Sequence, residues 1–204
     1  TLSGPLFMKK DEDGKKTKPI LGFFLSGNGS HIIDTRPFAI DQFQVKEDVK
    51  NDILANPVVP TAAGGINYKS EFLKEDDFEK IKFRQNVAQK RASISSKVDV
   101  NTGPNINLSF GGTFDWANGN GYSFTSALLN SDNLSNSTST TWRVYGKMTQ
   151  RFANNVDEEG EEQSKIKNAY YTVMVDYSNT SSKTKNNRHG DNLFDYGYVG
   201  KFDR

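Results

Sequence analysis

The chain has 204 residues, 26 Lys+Arg against 25 Asp+Glu, and no cysteine. Near-neutrality leaves no electrostatic footprint for nucleic acid. Without cysteine there is no disulfide frame, thiolate metal site or thiol nucleophile, although the compartment stays open. Only 34% of residues are hydrophobic, yet 12% are aromatic. Few aliphatics with much Asn, Ser, Thr and Gly is a β-rich composition. No run approaches the roughly 20 apolar residues of a membrane helix. Membrane-crossing strands carry a weaker signal and are not excluded.

Residues 1–35 read as a hairpin. Leu2 to Met8 and Ile20 to Gly27 are the strands, and the charged run Lys9 to Lys16 with its Asp13-Gly14 step is the turn. Residues 36–90 have a different character. Val45, Val49 and Ile53 recur at helical spacing, and Asn56-Pro57 stops that helix. A second helix is expected from Leu73 to Gln85. It opens on Glu75, Asp76 and Asp77 and carries Lys80, Lys82 and Arg84 later, which complements the helix dipole. This segment is expected to connect the hairpin to the strands beyond residue 90.

From residue 91 the period becomes two. Apolar side chains alternate in six segments of about 8–12 residues, around 94–100, 106–116, 122–128, 142–152, 169–177 and 194–202. Residues 101–105 and 117–121 read as tight turns. Residues 130–140, 153–168 and 178–191 read as long polar loops. Such alternation has two physical readings. In water it is an antiparallel sheet with one buried face. In an outer membrane it is a barrel wall, lipid on the apolar face and a wet lumen on the other. The segments exceed the usual strand length of about 5–6 residues. Their apolar face is rich in Trp, Tyr and Phe, and the opposite face is very polar, so the balance moves toward the membrane.

Six strands cannot close a membrane barrel, whose smallest members have roughly 8, and an open sheet edge cannot sit in lipid. The chain opens Thr1-Leu-Ser3 without Met or a signal peptide, and Lys201 to Arg204 fall within a strand signal. The expectation is therefore a piece of a longer protein.

The N-terminal pattern, Thr1-Leu-Ser-Gly-Pro-Leu-Phe7, a charged turn, then Leu21-Gly-Phe-Phe-Leu-Ser-Gly27, resembles the plug-to-barrel passage of TonB-dependent outer-membrane receptors of the Bacteroidota type, SusC-like or with a carboxypeptidase-regulatory domain. Ile106 to Gly112, Trp142 to Phe152 and Phe194 to Phe202 resemble early barrel strands of that family. The resemblance implies a globular plug inside a barrel of about 22 strands. It implies an outer-membrane location and energised uptake of a large or scarce nutrient. The implied partners are a TonB energising complex, acting through a segment not in this sequence, and a SusD-like surface lipoprotein. The fold expected is mainly β, antiparallel strands of a larger transmembrane barrel, with two short helices in 36–90. The rival is a secreted or surface-attached β-sandwich that binds glycan or protein.

No catalytic, cofactor or metal site is expected. Asp11-Glu-Asp-Gly14 resembles the start of a calcium loop, but Lys15, Lys16 and Lys18 follow where ligands are needed. It reads as a solvated turn. The run Asp157 to Glu162 offers clustered oxygen ligands for a hard cation, but like-charge runs read first as solvated loops; in a barrel its charge would repel or select solutes. His31 and His189 are far apart and lack a zinc donor set. Asp115-Trp116 is a weak carbohydrate-facing pair, better read as an aromatic at a strand end. No nucleophile elbow, Walker loop or His-Glu-x-x-His occurs. By parity, the wet face holds Asn107, Ser109, Thr113, Asp115, Arg143, Tyr145, Lys147, Thr149, Arg151, Tyr170, Thr172 and Asp176. Parity groups these residues but does not say which of them touch a solute.

Overall fold

The computed structural model describes residues 1–10, 12–103, 105–152, 169–186 and 188–192. The chain is mainly β, built of antiparallel strands in one large sheet with a single α-helix among the described residues. Two compact units interleave in sequence. Among the described residues, one comprises those within 1–30, 91–117 and 139–182, and the other those within 31–90, 118–138 and 183–192.

The first unit carries most of a six-stranded sheet, whose strand ends at 31–32, 89–90, 118–120, 135–138 and 183–186 fall in the second unit. The strands of the sheet are β1 (Leu2–Lys10), β2 (Lys16–Ile32), β7 (Gln89–Asn101), β8 (Ile106–Asn120), β9 (Ser135–Arg151) and β10 (Tyr170–Asn186), in the spatial order β1-β2-β7-β8-β9-β10. The expected hairpin is present, with Leu2 opposite Leu25 and Lys10 opposite Lys16. Gly14 turns it with φ 76°, a left-handed conformation that costs glycine little. Irregular register around Pro5, Phe7 and Met8 is tolerated because β1 is an edge strand.

Glycine also sets how closely two strands approach. A Cβ on Gly112 would lie 2.5 Å from the Arg143 carbonyl oxygen, and one on Gly111 would lie 2.6 Å from the Tyr145 hydroxyl and 2.8 Å from the Ser96 carbonyl. Backbone cannot yield as a side-chain tip can. Gly112→Ala is expected to cost about 1–3 kcal/mol by overpacking. Gly103→Ala, with open space around its Cβ position, is expected to stay within about 0.5 kcal/mol. Denaturation midpoints of the two variants check the contrast.

The second unit holds β3 (Gln42–Val45), α1 (Glu47–Ala55), β4 (Val58–Pro60), β5 (Ile66–Tyr68) and β6 (Phe78–Ile81). β3 pairs with β6, and β4 with β5. α1 begins with Glu47 and Asp48 and is closed by the Asn56 N–H donating to the Asp52 carbonyl at 2.9 Å. The first expected helix is thus present, but Val45 is not part of it. Val45 ends β3, opposite Phe78, and is buried.

Four expectations are corrected here. The second helix, 73–85, is a 3-10 turn at Glu75–Asp77 followed by strand β6. The Asp77 carboxylate accepts from the Lys74 N–H at 2.7 Å, so the acidic cluster caps one turn. Pairing with β3 then takes over. The turn at 117–121 is strand as far as Asn120. The Asn118 amide donates to Asn136 and Thr138 across the pair, and the Asn136 amide to Asn120. Residues 135–140 and 178–186 of the expected loops are strand, because hydroxyls pair across β9 and β10: Ser137 with Thr184, Ser139 with Ser182, Thr141 with Thr180. Residues 122–128 form no strand. They run as coil through a 3-10 turn at Phe124–Ser126, and their aromatics line a cavity instead. The loop at 153–168 and the strand at 194–202 lie outside the described residues.

Candidate functional site

Alternation gives the sheet of the first unit two chemically distinct faces. On one face, Trp142 packs on Tyr177 with ring centroids 5.3 Å apart, and Phe152 on Tyr171 at 5.9 Å. Between these two aromatic pairs lie Val144, Val173 and Val175, and the Phe110 ring sits 3.5 Å from where a Gly146 Cβ would be. These side chains are open. Val144 is 52% exposed, Phe110 52% and Val175 71%. Among the described residues, the only buried hydrophobic side chains are Val45, Val87 and Leu134, all in the second unit. The Tyr171 hydroxyl donates to the Gln150 side chain at 2.6 Å, so this ring has an apolar body and a polar tip. At the opposite ends of the strands the same parity turns polar, with Asn118 and Asn120 on β8, Asn136 and Thr138 on β9, Asn179 and Ser181 on β10.

The other face is a polar ladder. Thr149 and Thr172 hydroxyls lie 3.1 Å apart. Arg143 pairs with Asp176 at 2.7 Å, and Lys97 with Asp99 at 2.8 Å. The Ser109 hydroxyl donates to Asp99 at 2.6 Å. The Tyr145 ring lies over Gly111, where any Cβ would collide with it. The structure brings most of the parity-selected residues into two concavities. Asn107, Ser109, Lys147, Thr149, Arg151, Tyr170 and Thr172 line one of about 690 Å³. Asp115 lines another of about 440 Å³ together with Arg91, Ser93 and Thr141. Thr113 is exposed on β8 and lines neither.

The second unit has its own cavity of about 670 Å³, lined by Phe38, Ile40, Phe43, Phe78, Tyr122, Phe124, Leu128 and Leu134. Beside it stands a buried ion pair. The Asp34 side chain is fully buried and that of Arg84 nearly so. Arg84 Nε donates to both carboxylate oxygens at 3.1 Å and Nη2 to Oδ1 at 2.5 Å. The Arg84 and Arg36 backbone N–H groups donate to the same carboxylate at 3.0 and 2.9 Å. The guanidinium lies 4.7 Å from the Tyr122 ring centroid and 5.8 Å from that of Phe38, within cation–π range. Hydrogen bonds from Arg84 hold the Asp34 carboxyl well below the usual carboxylate range, and the carboxylate raises Arg84 in return. A polar chain runs nearby. Gln44 bonds Glu79 and Gln85, Ser131 donates to Gln85 at 2.9 Å, and Lys50 pairs with Asp132 at 3.1 Å. Hydrogen bonding to Lys50 lowers the Asp132 carboxyl.

Among the described residues no group of three His, Cys, Asp or Glu could hold a metal ion. His31 lies near the end of β2 and His189 in a turn. Glu12 to Gly14 form the hairpin turn, while Asp11 and the run Asp157 to Glu162 lie outside the described residues. The pair Asp34–Arg84 leaves no trace in the sequence pattern, because its members are 50 positions apart and neither belongs to a local motif. Comparison with family models, with curated proteins and with solved structures gives no match.

Proposed function

We propose that this chain forms part of the barrel wall of a TonB-dependent outer-membrane transporter, which binds and imports a large or scarce nutrient. The observation that carries the reading is the two-faced sheet. Its apolar face is open and bounded by aromatic pairs, while its opposite face is a ladder of hydroxyls, amides and ion pairs. The dimensions suit a bilayer. Trp142 and Phe152 are ten positions apart, which is about 34 Å along a strand. A strand tilted by about 40° would span about 26 Å, close to the roughly 25 Å apolar band of outer-membrane barrels. Lipid would cover that face, and the polar face would line the path of the solute. The chain's part in this is binding and passage, with no covalent chemistry. Both sheet edges, β1 and β10, would pair with further strands, since unpaired backbone cannot face lipid. The TonB complex and a SusD-like lipoprotein are the partners that the family resemblance implies.

Trp142 tests the reading. In a Trp116→Phe background, in bilayers containing brominated lipid, Trp142 fluorescence is expected to be quenched, most by bromines near the ester carbonyls. The unboiled protein is also expected to migrate differently from the boiled protein on an SDS gel. A water-soluble chain whose Trp142 is untouched by brominated lipid would replace the transporter with the β-sandwich binding module.

A further inference from the structure

The groove of about 690 Å³ on the polar face is unbalanced in charge. Elsewhere on that face Arg143 is matched by Asp176 and Lys97 by Asp99. Among the described residues, the only charged ones that line the groove are Lys147 and Arg151, and neither forms an ion pair with another described residue. Ser109 donates to Asp99, which also pairs with Lys97. Both cations are exposed. They share one face of β9 four positions apart, about 13 Å along the strand. Two long side chains at that separation can converge on one group between them. Their surroundings add further donors: the Asn107 amide, one proton of the bonded Thr149–Thr172 hydroxyl pair, and the hydroxyl of Tyr170, a residue that is 70% exposed.

From this we infer that the Lys147–Arg151 groove is a binding subsite for an oxyanion, the carboxylate or phosphate group of a polar solute. Arg151 supplies a planar fork that matches two oxygens at once, and Lys147 a point charge. The hydroxyls and amide of the groove orient the rest of the molecule. The inference deepens the transport reading and depends on it only in calling the bound molecule a solute in passage. The groove itself is a claim about charge and shape.

The test is calorimetric titration of the intact native protein in detergent with citrate, with inorganic pyrophosphate, and with neutral sorbitol. Citrate or pyrophosphate is expected to bind and sorbitol not, with affinity falling as salt rises. Which of the two binds more tightly identifies the oxyanion. The double variant Lys147→Gln, Arg151→Gln is expected to weaken binding by about tenfold or more, since charge-assisted hydrogen bonds are about twice as strong as neutral ones. Lys147→Arg is expected to retain binding. Lys18→Gln with Lys82→Gln removes equal charge outside the groove and is expected to change little. Equal loss in that control would reduce the effect to net charge and overturn the subsite. So would failure of both anions to bind the native protein. Neither result touches the transport reading, which stands or falls on lipid contact at Trp142. Conversely, anion binding by a chain that proves water-soluble would keep the subsite and remove the transporter.

Discussion

Asp34→Ala is expected to destabilise the second unit by about 3–5 kcal/mol, the usual cost of leaving one member of a buried ion pair alone. The large value follows from geometry. Asp34 gathers two backbone N–H groups and the Arg84 fork, and its side chain has no exposure to water. Removing it strands a guanidinium between two aromatic rings with its hydrogen-bond donors unmet. It also releases the Arg36 N–H, which closes a local turn, and the Arg84 N–H, which ties residue 34 to a segment fifty positions away. Hydrogen exchange at the Arg36 and Arg84 amides reads the loss locally, and amides in β9 and β10 serve as the internal reference. Protection at Arg84 unchanged in the variant would refute the assignment of the ion pair as the tie.

The same pair gives a pH signature. The Asp34 carboxyl is lowered on folding by hydrogen bonding to Arg84. A depressed carboxyl stabilises the fold fully above its unfolded value of about 3.9 and loses that contribution as pH falls toward the folded value. Protection at Arg84 is therefore expected to hold from pH 7 to 5 and to decline below about 4. In Asp34→Asn the decline is expected to flatten, because no proton is taken up at that position. Exchange at low pH, corrected for its intrinsic rate, checks the difference.

The sheet is legible from side-chain period alone, and the departures from that pattern have physical reasons. Ile106 to Trp116 and Trp142 to Met148 alternate, so both the strands and the sharing of faces by Asn107, Lys147 and Thr172 follow from parity. Parity is blind where the side chains on both faces are polar. Ser135 to Thr141 read as loop because nothing there is apolar, yet the Ser137, Ser139 and Thr141 hydroxyls each meet a hydroxyl of β10. Tyr122, Phe124 and Leu128 alternate for another reason, filling a cavity with Phe38 and Phe78. The segment 73–85 has charge order without an apolar face, and cross-strand pairing with β3 decides it. The Asp34–Arg84 pair is purely tertiary. No local pattern contains it, and only the fold of the second unit brings the two side chains together.

Under the proposed transporter reading, an arginine walked along the apolar face of β10 is expected to trace the bilayer. Val173→Arg should cost about 2–4 kcal/mol, the penalty for a cation near the midplane of an outer-membrane barrel, falling to about 0–1 kcal/mol near the interfaces. Val173 is 51% exposed and lies between Tyr171 and Tyr177, whose partners Phe152 and Trp142 mark the two ends of the aromatic band. The cost should therefore peak at Val173 and Val175 and decline at Tyr171 and Tyr177, where an arginine can reach headgroups. Thr172→Arg, one position away on the polar face, is expected to cost within about 0.5 kcal/mol. Reversible unfolding from bilayers of two acyl lengths measures the profile, and longer chains should widen the costly zone. The rivals predict different shapes. If the face met only water, every position would be nearly neutral. If it packed against a second sheet, the costs would follow local packing and ignore lipid length. A smooth maximum that widens with the acyl chain requires a solvent that is itself layered, and a bilayer is such a solvent.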